Sequence, residues 1–280
     1  MNEFITISKS GGVEIRNYEN SDLPIDYYFD TTKRKGAIFL VNKHSDLEIL
    51  FITKGKLKIH LDNEIFVGDV GDMIVINPNV LHNIIALSEA VTYECLIVDK
   101  HFMEKNGLFL ENKHIKEVIR DATLFNLIGS IKRFVLEGPP LYQAKVNIEI
   151  LRLSVGLFEN HSTKRDKNTP QSNSLISVER SIDYINKNFN SDVTIDDIAS
   201  HVGYSKFYFC RKFREITGYT PATYINMQRI KYAYSRLCQS DVTVNDIAFE
   251  CGFKSMAYFS VTFKKYIGVN PSSVRATHKK

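Results

Sequence analysis

Two groups of side chains in this 280-residue sequence are of types that do chemistry. The first is basic: Arg211, with Lys206 and Lys212 close by. A guanidinium carries a planar fork of donors that can pair bidentately with guanine O6 and N7, while lysine ammonium groups suit phosphate. The second group is His44, Glu48 and His82. Two imidazoles and a carboxylate can hold a transition metal, hydrogen-bond an organic ligand, or stay satisfied in a core. The sequence contains neither a glycine-rich phosphate loop nor a nucleophile elbow. Cys95, Cys210, Cys238 and Cys251 form no CxxC pair and no zinc spacing, so reduced, mostly buried thiols are expected.

The elements that must position the basic group come from one pattern written twice. Asp192-Val193-Thr194-Ile195-Asp196-Asp197-Ile198-Ala199, then Val202-Gly203-Tyr204, is answered by Asp241-Val242-Thr243-Val244-Asn245-Asp246-Ile247-Ala248, then Cys251-Gly252-Phe253. Gly203 and Gly252 lie 49 residues apart, and Phe213 and Phe263 lie 50 apart, so the second copy holds one extra residue. A period of this size marks a duplicated supersecondary unit. Thr194 with Asp197, and Thr243 with Asp246, have the spacing of a capping box that opens a short helix. Gly203 and Gly252 then stand where a helix stops in the left-handed conformation that glycine adopts at little cost. A second helix is expected from Ser205 and from about Ser255. Helix, tight glycine turn, helix is the helix-turn-helix, whose second helix enters the DNA major groove. Between the copies Pro221 to Cys238 reads as a helix with proline at its first position, burying Ile225, Ile230, Ala233 and Leu237.

This tandem resembles the DNA-binding domain of AraC/XylS-family transcription regulators. The resemblance rests on Ile198-Ala199, Gly203-Tyr204, Arg211, Phe213, Gly218, Pro221, Arg229 and Ala233 in the first half. In the second half it rests on Ile247-Ala248, Gly252-Phe253, Tyr258-Phe259-Ser260, Phe263-Lys264-Lys265, Gly268, Pro271-Ser272 and Arg275. The resemblance implies that Ser205, Lys206, Phe207, Cys210, Arg211 and Lys212 face DNA in the first copy, with Phe209 and Phe213 in the core. In the second copy it implies Lys254, Ser255, Met256, Ala257, Ser260 and Val261, with Thr262 nearby, and Phe259 and Phe263 as core. Val261 stands where the family commonly has arginine, and Met256-Ala257 replace polar residues. Contacts from the second copy are therefore expected to position the protein more than to specify sequence. Tyr208 is left open between packing and a phosphate contact.

Residues 1 to about 100 read as β structure, with short apolar runs between turn residues. Glu48–Thr53 and Lys56–Leu61 are joined at Lys54-Gly55, Asp62-Asn63 makes a hairpin turn, and Tyr93–Val98 is the last clear strand. The stretch resembles the small cupin-type barrel that many such regulators carry as a sensor, on His44, Glu48, Gly55, Gly68-Asp69, Asp72, Pro78 and His82. That resemblance implies an effector site built from His44, Glu48, His82 and Tyr93. Tyr27, Tyr28, Phe29 and Phe39 are further aromatics that could stack on a sugar or an aromatic ligand. The first cupin motif usually offers two close histidines, and here it reads His44-Ser45-Asp46; no metal and no cofactor is expected.

Residues from about 112 to 160 read as helical, on Ile115, Val118 and Ile119, then Leu124, Leu127, Ile128 and Ile131. After the break at Gly138-Pro139-Pro140 come Val146, Ile150, Leu153 and Leu157. These helices either pack beneath the barrel or, by analogy with the family, form a dimer interface. His161–Ser174 has no large apolar residue and reads as a flexible linker.

The expected architecture is α+β in two domains. Residues 1–160 form a cupin-like barrel plus helices, 161–174 the linker, and 175–280 an all-α domain with helix-turn-helix motifs at about 194–217 and 243–267. From Leu175 on there are 15 Lys plus Arg against 9 Asp plus Glu, a balance of +6. The remainder holds 36 − 15 = 21 against 32 − 9 = 23, a balance of −2, so the basic excess sits where phosphate must be neutralised. Met1-Asn2-Glu3-Phe4 lacks a basic region followed by an apolar run, so no secretory leader is expected, and no apolar segment approaches membrane-spanning length. The expected function is a cytoplasmic, sequence-specific transcription regulator, not an enzyme. Its expected partners are double-stranded DNA, a small-molecule effector, a second copy of itself as a homodimer, and RNA polymerase. Two rivals stay open: a cupin metalloenzyme with a DNA-binding appendix, and an effector-blind regulator whose barrel only dimerises. A barrel interior filled by its own side chains would favour the latter.

Overall fold

The computed structural model describes residues 5–7, 13–15, 23–32, 36–37, 41–164 and 172–278. The chain divides into two compact units, Met1–Pro170 and Gln171–Lys280.

The first unit opens with strands β1 (Ile5–Ile7), β2 (Val13–Ile15), β3 (Ile25–Thr32), β4 (Gly36–Ala37) and β5 (Leu47–Lys54). It continues through β6 (Leu57–Leu61), β7 (Glu64–Gly68), β8 (Met73–Ile76), β9 (His82–Ala86) and β10 (Val91–Val98). Then come α1 (Lys100–Lys105), β11 (Lys113–Ile115), β12 (Val118–Ile119), α2 (Ala122–Glu137), α3 (Tyr142–Asn160) and β13 (Ser162–Lys164). One antiparallel sheet has the order β12-β8-β5-β10-β3, and a second the order β4-β9-β6-β7.

Period-two alternation gives the larger sheet two apolar faces. Leu47, Ile49, Met73, Val75, Leu96 and Val98 pack against α2 and α3. The alternate residues Leu50, Ile52, Ile74, Ile76, Tyr93 and Ile97 meet Leu57, Ile59 and Ile84 of the smaller sheet. That second layer faces the barrel interior and lines it with buried apolar side chains. Gly55 turns β5 into β6 at φ +77°, where a Cβ would run into the Ala90 carbonyl. The two-residue turn from β6 to β7 puts Asp62 at φ +51°.

Several expectations are corrected here. Ile115, Val118 and Ile119 lie on strands, not on a helix: β11 pairs with β13, and β12 extends the larger sheet beside β8. Their three- and four-residue spacing comes from a bend between two short edge strands. The first helix after them starts at Ala122, with the Asp121 carboxylate accepting from the Thr123 and Leu124 N–H groups. The presumed linker is structured at both ends. Ser162–Lys164 is a strand, and Ser172 caps a helix that starts at Asn173; residues 165–171 lie outside the described residues. Tyr27 faces the helices and not the barrel interior, donating its hydroxyl to Glu94 at 2.6 Å, while Lys132 of α2 reaches the same carboxylate at 2.6 Å. The side chains of Tyr28 and Phe29, and all of Phe39, lie outside the described residues.

The second unit is helical: α4 (Asn173–Asn188), α5 (Ile195–His201), α6 (Lys206–Thr217), α7 (Pro221–Gln239), α8 (Val244–Glu250), α9 (Met256–Ile267) and α10 (Pro271–His278). Helix α7 buries Ile225, Ile230, Ala233 and Leu237. Its Arg229 donates to the carbonyls of Phe189 (2.6 Å) and Ser191 (3.0 Å) at the end of α4, and lies over the Phe253 ring at 5.8 Å. Burial lowers the proton affinity of that guanidinium. Gly252, at φ +83°, sits under it, and a Cβ there would come within 2.9 Å of the Asn190 carbonyl oxygen. Arg229 thus ties the loop after α4 to the second helix turn. Among the described residues no helix is long and apolar enough to cross a membrane.

Candidate functional site

The two helix pairs are built as their residues dictate. Thr194 and Asp197 form a full capping box: the Asp197 N–H donates to Thr194 Oγ1 at 3.1 Å and the Thr194 N–H to Asp197 Oδ2 at 2.9 Å. In the second copy the Asp246 N–H donates to Thr243 Oγ1 at 3.2 Å, and the Thr243 hydroxyl donates to Asp246 Oδ2 at 2.6 Å. Gly203 (φ +74°) and Gly252 (φ +83°) end α5 and α8 in the left-handed region.

On α6 the buried side is Phe209, Phe213, Ile216 and Thr217. The opposite stripe, at helical spacing, is Phe207, Cys210, Arg211 and Arg214, with Cys210 half-buried and the others exposed. Phe207 is 87% exposed, where burial would be worth ~1.5–3 kcal/mol. An apolar ring held out beside two cations suits a partner with both phosphates and base faces. Arg211 stands over the Tyr208 ring at 5.4 Å, and that ring meets Tyr204 edge-on at 4.7 Å. Tyr208 thereby orients Arg211 from below. Lys206 pairs with Asp196 at 2.7 Å, and Lys212 with Glu215 at 2.7 Å. Hydrogen bonds donated to those carboxylates raise both ammonium pKa values, so both cations stay charged at neutral pH. Exposed pairs of this kind are weak and exchange readily for phosphate. Ser205 precedes the helix without a side-chain cap bond.

On α9 the corresponding stripe is Ala257, Ser260, Val261 and Lys264, and Val261 is 69% exposed. Lys254 is exposed and pairs with Asp192 at 2.9 Å, and Met256 is half-buried. Two residues expected to face DNA are committed elsewhere. Thr262 is buried, because it lies three residues after Phe259 and next to Phe263, on the core side of the helix. The Ser255 hydroxyl oxygen caps α9, accepting from the Tyr258 N–H at 3.4 Å. Arg214 was not singled out from the sequence, and Lys264 only as part of the family resemblance and not as a DNA contact; extending each stripe by three residues from Arg211 and Val261 would have found both as contacts.

The second site lies where β5 and β9 begin. Glu48 is flanked by Ile97 on β10 and Ile76 on β8. Its Oε2 lies 2.9 Å from His44 Nε2 and 3.3 Å from His82 Nε2, and the two rings meet edge-on with centroids 5.1 Å apart. Glu48 and His82 are each 5% exposed and His44 is 12% exposed. His44 Nδ1 lies 3.2 Å from the Asp46 carbonyl oxygen and His82 Nδ1 lies 2.9 Å from that of Val80. The Cys95 thiol donates to Glu48 Oε1 at 3.4 Å. Backbone bonds set the loops: the Asn79 N–H donates to the His44 carbonyl at 2.7 Å, and Asn42 and His82 exchange N–H···O bonds at 2.9 Å. Burial disfavours a charged Glu48, but the charge of His82 and the hydrogen bonds from both imidazoles outweigh it and hold the carboxyl well below the usual range. Burial disfavours charge on His44 too, and its bond to Glu48 reverses the balance and raises it. Tyr93, expected beside these residues, is fully buried within the apolar interior cluster.

With this geometry in place, comparison with known proteins is informative. Residues 198–277 match the model of a helix-turn-helix domain, and residues 31–99 that of a cupin domain. The chain carries a helix-turn-helix domain behind a cupin domain. An uncharacterised HTH-type transcriptional regulator of Staphylococcus aureus (strain COL) is 25% identical over 240 residues, covering 82% of this chain. The melibiose operon regulatory protein of Escherichia coli (strain K12) is 28% identical over 135 residues, covering 47% of it. The chain spans 31% of the length of the first and 45% of the second. Among solved structures, the C-terminal domain of AraT, a response regulator from Geobacillus stearothermophilus, is 29% identical. It covers 36% of this chain and 84% of its own, at a TM-score of 0.35.

Proposed function

We propose that this protein is a sequence-specific, DNA-binding transcription regulator that acts without catalysis in the cytoplasm. The observation that carries this reading is the outward stripe of α6, in which Phe207 is held in solvent beside Arg211 and Arg214. Residues 175–280 form the DNA-binding part. In it Arg211 pairs with a guanine edge and Phe207 meets base methyl groups. Lys206, Lys212, Arg214 and Lys264 neutralise phosphates. Met256, Ala257, Ser260 and Val261 give α9 few hydrogen-bonding groups, so it holds register and α6 specifies. Residues 1–160 serve as the sensor and homodimer part, and RNA polymerase is the partner through which a bound regulator acts.

Selection of duplexes from a random pool by the full chain tests the proposal. One enriched motif is the expected result, and salt-sensitive binding without enrichment would overturn sequence specificity. A second reading is favoured by the buried, apolar lining of the barrel interior. In it the barrel takes no organic effector and serves association between copies. The same selection with and without a library of sugars and aromatic acids separates the two, because only the first reading predicts a change in affinity.

A further inference from the structure

Helix α9 repeats the frame of α6 with different outward side chains. Phe259 and Phe263 are buried as Phe209 and Phe213 are, fifty residues earlier. That register sets Ala257 where Phe207 stands and Val261 where Arg211 stands. Both face outward, and Val261 is 69% exposed. A β-branched side chain loses rotamer freedom in a helix, and an exposed one gains little from burial, so the fold itself does not favour valine here. The stripe is cationic on either side: Lys254 precedes Ala257 by three residues and Lys264 follows Val261 by three, both exposed. Tyr258, 53% exposed, adds a hydroxyl that accepts from the Asn226 amide at 3.0 Å and keeps its own hydrogen to donate.

An apolar stripe between charges fits one feature of the major groove. With few hydrogen-bonding groups α9 does not sort donors from acceptors, and that readout stays with α6. Thymine, however, shows an apolar group in the groove, its C5 methyl. Cytosine puts a bare C–H at the same place, which leaves a gap against a side chain set for a methyl. A purine facing an apolar side chain has its N7 acceptor stripped of water with no bond in return. Both alternatives are disfavoured although no hydrogen bond is made. Helical positions four apart lie about 6 Å apart along the axis, close to two base steps of about 3.4 Å, so Ala257 and Val261 address nearby pairs.

Resting on the reading of this chain as a sequence-specific DNA-binding protein, we propose that α9 selects thymine by its methyl group. Val261 is the specificity-determining residue, with Ala257 beside it. Lys254, Lys264 and the Tyr258 hydroxyl hold flanking phosphates, which fixes how closely the valine meets the base edge. The two helices then read DNA by different chemistry, α6 by the guanidinium fork of Arg211 and α9 by packing. The sequence alone argued that the second copy positions more than it specifies. The outward exposure of Val261 between two cations gives it a base-reading role as well.

The test uses the full chain and the duplex that it selects. Each thymine is replaced singly by deoxyuridine, which removes the methyl and keeps every hydrogen-bonding group. At one or two thymines the affinity should fall about four-fold, the worth of one buried methyl. In Val261→Ala those same thymines should tolerate deoxyuridine, while the guanine preference set by Arg211 persists and shows that the variant folds. Thymines that Phe207 touches should respond to Phe207→Ala instead. At a thymine read by Val261, a 5-methylcytosine·guanine pair should bind about four-fold tighter than cytosine·guanine, which separates the methyl from the rest of the base. Tolerance of deoxyuridine at every position, in a duplex whose guanine still depends on Arg211, would overturn the methyl reading alone. A loss on deoxyuridine that persists undiminished in Val261→Ala would also overturn it, by placing the contact elsewhere. Failure to enrich any motif would overturn the methyl reading and sequence specificity together.

Discussion

Phe207 and Phe209 are two residues apart on α6 and differ as far as two phenylalanines can: one is 87% exposed and the other 0%. Phe209 packs edge-on to Phe213 at 5.6 Å, and Phe213 in turn meets Tyr224 of α7 at 5.7 Å. Truncating Phe209 to alanine removes a buried ring from that stack and should cost ~3–5 kcal/mol. Truncating Phe207 removes a ring that touches mostly water, so stability should change by less than about 0.5 kcal/mol. Against DNA the ranking inverts. If Phe207 is buried on binding, its loss costs ~1.5–3 kcal/mol, a fall in affinity of roughly 10- to 150-fold. Chemical denaturation of the full chain and fluorescence anisotropy on the selected duplex supply the two numbers. A Phe207→Ala protein as unstable as Phe209→Ala, or one that binds DNA unchanged, would refute the register assigned to α6.

Four further predictions follow from single contacts. Arg229→Ala removes two charge-assisted bonds to the carbonyls of Phe189 and Ser191, and should cost ~2–4 kcal/mol in denaturation of the C-terminal unit. Arg229→Lys should recover only part of that loss. Gly252→Ala should cost more than the ~1–2 kcal/mol of left-handed backbone alone, because its Cβ also meets the Asn190 carbonyl, whereas Gly203→Ala, with open space around it, should pay the backbone part only. Arg214→Ala should reduce the slope of log affinity against log salt by about 0.9 without changing the preferred sequence. Arg120 holds the Asp72 carboxyl below its ordinary value, so that pair stabilises the fold above the unfolded pKa of about 4 and the contribution is lost as pH falls through the lowered folded value. Asp72→Asn should therefore flatten the acid limb of the stability profile.

The helix-turn-helix pairs were legible because their determinants are local. A capping box, a left-handed glycine and phenylalanines four apart each declare themselves within one or two helical turns. The same reasoning failed where register had to be carried further along. Thr262 was set on the DNA side although its spacing from Phe259 puts it in the core, and Arg214 and Lys264, one turn beyond Arg211 and Val261, were not assigned to the DNA side. Ile115, Val118 and Ile119 show how two short edge strands imitate helical spacing when a bend separates them. The pairing of Val118 and Ile119 with Ile74 and Met73 of β8, and of Ile115 with Ser162 of β13, is a long-range fact that no local window contains. The three barrel residues were named from their types and from the resemblance to a cupin-type barrel. Their meeting depends on the bridge between Asn42 and His82, and the fixing of both Nδ1 atoms depends on two carbonyls, so neither could be read from spacing.

In the proposed complex α6 reads DNA sequence through Arg211. The measurement that tests this most directly is the base preference of Arg211→Ala, position by position, on the duplex selected by the native chain. Loss of preference at one guanine, worth ~1–3 kcal/mol there while the other positions keep theirs, is the predicted result. Uniform weakening at every position would contradict it, by making Arg211 a phosphate contact.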